Sequence, residues 1–140
     1  RAQRVLDGTR PSRRQLVECV CDVYDEFLTL QIAGGVPECW RRFLVREQLD
    51  PSETGAFEAI FSAIYPFFQA MFLLLSRILE KPPDHPEVRL LTTMIFGQVG
   101  VFRTNRTGAL KMLGWKQFGP REVRTIRTVA HKYIAKLLAK

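Results

Sequence analysis

Cysteine is scarce in these 140 residues: Cys19, Cys21 and Cys39 form an odd set of three. That is too few for a disulfide framework and, with no signal peptide ahead of them, suits a reducing cytoplasm. Histidine is scarcer, and neither His85 nor His131 has ligand-like neighbours at metal-binding spacing. A glycine-rich phosphate loop, a serine elbow and a histidine paired with a carboxylate on one helix face are all missing. No catalysis, metal or cofactor is therefore expected. No segment alternates apolar with polar residues as a half-buried strand would, which excludes a sheet, and there are no repeats. The formal net charge of +7 is concentrated at the ends: residues 1–14 hold +4, residues 15–118 hold −2 and residues 119–140 hold +5. Such ends can bind nucleic acid non-specifically. However, Lys132, Lys136 and Lys140 also suit a helix C-terminus, and because only Tyr133 interleaves an aromatic ring among them, a solvated face is the favoured reading.

With 46% hydrophobic and 25% charged residues, the chain has the composition of one globular domain. Its first residue is Arg1 rather than methionine, which predicts a fragment or processed chain. Residues 1–10 are expected to be the remnant of a connecting helix capped at Gly8, and residues 11–140 the domain. Ser12 and Gln15 stand at capping-box spacing before Leu16, Val20, Val23, Tyr24, Phe27 and Leu28, which predicts a first helix over 13–31 ending at Gly34 and Gly35. Pro37 opens a short arginine-rich second helix with Trp40, Phe43 and Leu44 on one face, closed by Asp50 and Pro51. A third spans 53–80, with Pro66 expected to kink or split it. A central helix runs over 85–114, closed by Gly114 and Trp115, and the last begins at Gly119 and Pro120. The expected fold is all-α, with five to six helices.

Two stretches carry more than periodicity. The run Ala59 to Ser76 is uncharged and long enough for a membrane span, but Glu58, Ser62, Gln69, Ser76 and Glu80 lie within about 40° of one another on a helical wheel. A narrow polar strip of that kind marks a largely buried helix of a soluble domain rather than a span. The central stretch has two faces. Val88, Leu91, Ile95, Val99, Phe102, Leu110 and Leu113 form a bulky stripe, and Thr93, Gly97, Gly100, Thr104 and Gly108 repeat at helical spacing opposite it. Glycine in a helix costs roughly 1 kcal/mol against alanine, so such a face calls for a closely packed helix, either of the same chain or of a second copy. In the last helix Val123, Ile126, Ala130, Tyr133 and Leu137 make a heptad-like seam that Ile134 and Leu138 widen. Aromatic rings crowd the first four helices. Beside the Pro66 break they are expected to leave an apolar cavity lined by Tyr24, Phe61, Tyr65, Phe68, Phe72, Gln98 and Phe102, for a small, largely apolar or aromatic ligand. Each ring taken alone is better explained as core than as a ligand contact. Arg103 and Arg106 are surface arginines or anchors for an anionic ligand group.

Phe43-Leu44-Val45-Arg46-Glu47 followed by Pro51, His85-Pro86-Glu87-Val88-Arg89, Gly97-Gln98 with Phe102-Arg103 and Arg106, and Leu113-Gly114-Trp115 before Gly119-Pro120 together resemble the C-terminal domain of TetR-family transcriptional regulators, most of all the CecR-like subgroup. The resemblance implies an all-helical domain that binds a small effector among its helices. It also implies a homodimer in which the last two helices of each chain form an intermolecular four-helix bundle. Here those helices carry the seams Thr93, Gly97, Gly100, Thr104, Gly108 and Val123, Ile126, Ala130, Tyr133, Leu137. The family's N-terminal helix-turn-helix has no counterpart in these residues, so DNA contact is expected only through that missing part. Two other classes remain open: a helical interaction module without a ligand site, and a non-specific nucleic-acid binder.

Overall fold

At the start of the first helix the Ser12 N–H donates to Gln15 Oε1 at 2.9 Å, and the Gln15 N–H donates back to Ser12 Oγ at 3.2 Å. This reciprocal cap satisfies two donors that a helix start leaves orphaned. The computed structural model describes residues 10–32, 38–50 and 55–139. Among them are six helices and no strand: α1 Arg13–Ile32, α2 Glu38–Leu49, α3 Ala56–Leu79, α4 Pro86–Thr104, α5 Arg106–Leu113 and α6 Pro120–Leu137. The expectations for Gly8, Gly34, Gly35, Pro37 and Pro51, and for the side chains of Trp40 and Leu44, lie outside the described residues.

The central stretch is two helices rather than one. The chain leaves helical geometry at Asn105, with φ −134° and ψ 53°, and restarts at Arg106. Asparagine competes for local hydrogen bonds and so favours such a break. Gly108 permits this one, because a Cβ built there would meet the Asn105 side chain at 2.5 Å. Its glycine is thus explained by the break, and the small-residue series runs along one helix only from Thr93 to Thr104. The α5 helix ends as its sequence suggests: Gly114 has φ +72°, where a side chain would be strained, and the Trp115 N–H donates to Leu110 O at 2.9 Å. Glu122 Oε1 accepts the Gly119 N–H at 3.0 Å, which with Pro120 fixes the start of α6.

Pro66 does not split α3, which continues through it. Pro66 and Ser62 are both exposed, so the carbonyl that loses its helical donor lies near water rather than in the core. The stretch Glu58–Leu79 is long and apolar enough to cross a membrane by length and composition. Its second half is committed elsewhere, since Met71, Leu74, Leu75 and Ile78 are core residues.

Helix α1 is the axis of the bundle. It packs against α3, α4 and α6, while α3 also meets α4 and α2. Val20 and Leu28 of α1, Met71, Leu74 and Leu75 of α3, and Val88, Ile95 and Val99 of α4 are withdrawn from water. Each large side chain so buried contributes about 1.5–3 kcal/mol. Thr92, the one polar residue of α4 in this core, satisfies its hydroxyl by donating to Val88 O at 2.8 Å.

The two ends of α1 are tied by polar contacts. At its start the Arg13 guanidinium donates to Leu138 O at the end of α6 (2.9 Å) and to Ile78 O at the end of α3 (3.0 Å), so one cation caps two helix C-termini. At its far end Gln31 Oε1 accepts from Arg103 of α4 at 3.1 Å. Arg13 and Gln31 stand about 27 Å apart along the helix axis.

Candidate functional site

The aromatic set singled out from sequence is divided among several places. Tyr24 is in the core. Phe68 belongs to a ring layer in which Phe27 of α1 meets Phe67 and Phe68 of α3 and Phe96 of α4, with centroids 5.5, 6.1 and 4.4 Å away. Phe61 and Tyr65 form a separate pair at 5.4 Å, with Phe61 exposed. Phe72 lies under the Arg89 guanidinium, and Phe102 packs edge-on against Phe118 ahead of α6. Gln98 faces solvent. Helical periodicity marked these rings as inward-facing. It could not say which ring meets which, because the partners are on different helices.

The seam residues divide as well. Thr93, Gly97 and Thr104 are exposed and Gly100 is half-buried; a Cβ built on Gly97 or Gly100 would meet nothing of its own chain within 4 Å. Close packing within the chain therefore does not explain those two glycines. Leu90 at 62%, Met94 at 56% and Val101 at 40% exposure stand beside them and make an open apolar face on α4. In α6, Ile126 turns into the core together with Ile134 and Leu138, while Val123 and Ala130 are half-buried against it. Tyr133 and Leu137 remain outside with Val129, each at least half exposed. The inward face of α6 is thus centred on Ile134 and Leu138, and the two outward members of the sequence seam belong to a flanking stripe.

Between α1 and α6 lies a groove of about 700 Å³ lined by Val17, Cys21, Asp22, His131, Ala135 and Leu138 among others. Beside it the helices are joined by Asp25 Oδ1 and His131 Nε2 at 2.7 Å, and by Arg127, which donates to Thr29 Oγ1 at 2.8 Å. These pairs are about a hundred residues apart, and no sequence spacing announces them. Burial pushes the Cys21 thiol up to about 11 from its ordinary value of 9.0, assisted by the charges of Asp25, Asp22 and Glu18. Raising the pKa withholds the reactive thiolate until higher pH. Alkylation of Cys21 by iodoacetamide at pH 8, followed by peptide mapping, is expected to run about tenfold slower than for an unhindered thiol. Its rate should still be climbing above pH 9, and a plateau near pH 9 would count against this environment.

A second cleft, about 420 Å³, separates α2 from the junction of α4 and α5. Its walls include Arg42, Val45, Arg46, Leu49 and Asp50 on one side, and Arg103 to Thr107 on the other. Among the described lining residues four arginines thus accompany one carboxylate. Arg46 lies over the Phe43 ring and Arg106 over the Phe118 ring, at 5.7 and 5.1 Å from the centroids. Arg103 is half-buried, and desolvation pushes its guanidinium below the ordinary value. Its hydrogen-bond partner, Gln31, is neutral, and no carboxylate among the described residues pairs with it. Sequence reasoning noted Arg103 and Arg106 but placed neither beside α2.

No group of histidine, cysteine and carboxylate side chains among the described residues is arranged to hold a metal ion. No curated protein matches the chain. A family model does, that of the C-terminal domain of the HTH-type transcriptional dual regulator CecR, over residues 17–140. The match takes in every helix of the described fold except the first turn of α1, and the all-helical bundle agrees with the expectation raised by the sequence. The chain therefore belongs to the family of CecR C-terminal domains, a transcriptional regulator's domain rather than an enzyme family.

Proposed function

We propose that this is the effector-sensing and dimerisation domain of a TetR-like transcriptional regulator, working as a two-fold homodimer. The observation that carries the reading is the open face of α4, where Gly97 and Gly100 have no neighbour of their own chain within 4 Å and Leu90, Met94 and Val101 are exposed beside them. Helical glycines left in water are a cost without a return, whereas a second copy laid across them gains close backbone approach and apolar burial. The exposed stripe Val129, Tyr133 and Leu137 of α6 extends that surface, so each chain would supply two helices to an intermolecular four-helix bundle. Thr93, Gly97, Gly100 and Thr104 would be central to it, with Tyr133 and Leu137 at its edge.

A small effector would bind among the first helices of the domain. Helix α1 supplies a physical route for its signal. The Gln31 contact with Arg103 anchors one end, and the Arg13 contacts with α3 and α6 anchor the other, where the chain enters the domain. A ligand that shifts either set of contacts displaces a rigid helix, and with it whatever precedes Arg13. DNA would be contacted only through a helix-turn-helix that these 140 residues do not include.

Native mass spectrometry of the chain purified from cells tests both halves. A dimer mass, with a fraction carrying an additional small molecule, is the expected result. A monomer at micromolar concentration would sink the dimer, and a dimer that neither retains nor takes up any small molecule would leave only an interaction module.

A further inference from the structure

We propose that the cleft between α2 and the α4 and α5 junction binds the oxyanion, carboxylate or phosphate, of a small organic ligand, with Arg103 as its central contact. The proposal rests on the effector-sensing reading and specifies the chemistry of the effector's head. Arg42, Arg46, Arg103 and Arg106 line one concavity, with Asp50 the only carboxylate among the described lining residues. Even if the buried Glu47 of the same α2 helix is counted as well, the arginines outnumber the acids by two among the described residues there. The planar fork of a guanidinium matches the two oxygens of a carboxylate or phosphate, and several forks lining one concavity can share such an anion.

Arg103 is the most telling member. A half-buried cation normally recovers its lost hydration from a carboxylate, yet here its partner is the amide oxygen of Gln31. An arriving oxyanion would supply the missing charge without displacing that hydrogen bond, since five N–H donors are available on the group. Val45 and Leu49 on the α2 wall offer apolar surface for the remainder of the ligand, and the volume of about 420 Å³ falls within the range of small-molecule sites. A nucleic-acid backbone fits less well. The arginines line a concavity rather than a ridge, and the site lies at the Gln31 end of α1, about 27 Å along the helix from the Arg13 end. Because Arg103 holds Gln31, an anion drawn to it would act directly on the end of the helix through which the signal is proposed to travel.

The test uses the whole chain and three probes that share one tail: octanoate, octyl phosphate and octanol, titrated by calorimetry at low and physiological salt. At least one anion should bind ten times or more tightly than octanol, and which of the two binds more tightly distinguishes a carboxylate from a phosphate head. Arg103→Gln should remove most of that preference and Arg103→Lys only part of it. Arg46→Gln, at an exposed position, should weaken the anion severalfold with the fold untouched, which guards against misfolding of the Arg103 variants. If octanol binds as well as the anions, the effector reading stands and this assignment falls. If none of the three probes binds, or if the cleft instead binds duplex DNA in an Arg103-dependent manner, the proposal is overturned as well.

Discussion

Replacing Phe27 by alanine should cost about 3–5 kcal/mol, the largest loss expected from any single truncation of a ring in this chain. Phe27 is 4% exposed on α1, the helix that the other long helices share. Its ring touches Phe67 and Phe68 of α3 and Phe96 of α4, and Phe68 and Phe96 are themselves 5.0 Å apart. These neighbours belong to two different helices, so no single rotamer change closes the space that Phe27 would leave. The cavity penalty therefore adds to the lost transfer energy. Urea unfolding monitored by circular dichroism measures the loss, with Phe61→Ala as the comparison. Phe61 is 41% exposed and its ring has Tyr65 for a neighbour, so its removal should cost less than about 1 kcal/mol. Equal losses at the two positions would mean that the ring layer around Phe27 is not packed as described.

The second large effect has opposite signs in the protomer and in the dimer. Within one protomer, side chains at Gly97 and Gly100 meet nothing, so alanine at either position should raise helix stability by up to about 1 kcal/mol. Across a four-helix seam, leucine at the same positions would force the backbones apart, at about 1–3 kcal/mol for each overpacked contact. Two-fold symmetry repeats every such contact. The double variant Gly97→Leu with Gly100→Leu should therefore raise the dimer dissociation constant by at least about a hundredfold while retaining its helix content. Sedimentation velocity reads the association state, and the exposed Lys136→Ala provides a control expected to behave as the parent. A double variant that dimerises as tightly as the parent would place the interface elsewhere. Should the parent be monomeric, the glycine face would be left without a function.

What the sequence determined by itself is everything settled within about four residues. Ser12 with Gln15, Gly119 with Glu122, and Gly114 with Trp115 were legible as helix boundaries because each partner is reached within one turn of backbone, and all three formed. The bulky stripe of α4 was legible for a related reason, since a helix that buries Val88 must also bury Ile95 and Val99. The family followed from the order of such local signals.

Tertiary structure decided the rest. A helical wheel of α6 shows an apolar arc from Val129 to Leu138, but the centre of that arc is fixed only when α1 is laid against it. Tyr133 and Leu137 stand one residue, about 100° around the helix, from Ile134 and Leu138, so only the seating of α6 against α1 decides which pair faces inward. The break at Asn105 is not legible along the chain, because Gly108, the residue that accommodates it, stands at the spacing of the small-residue series. Arg13 meets Leu138 across 125 residues, Arg103 meets Gln31 across 72, and α2 meets neither in sequence. Charges and rings advertise their type along the chain. Their partners are chosen by packing, which brings together groups that no periodicity relates.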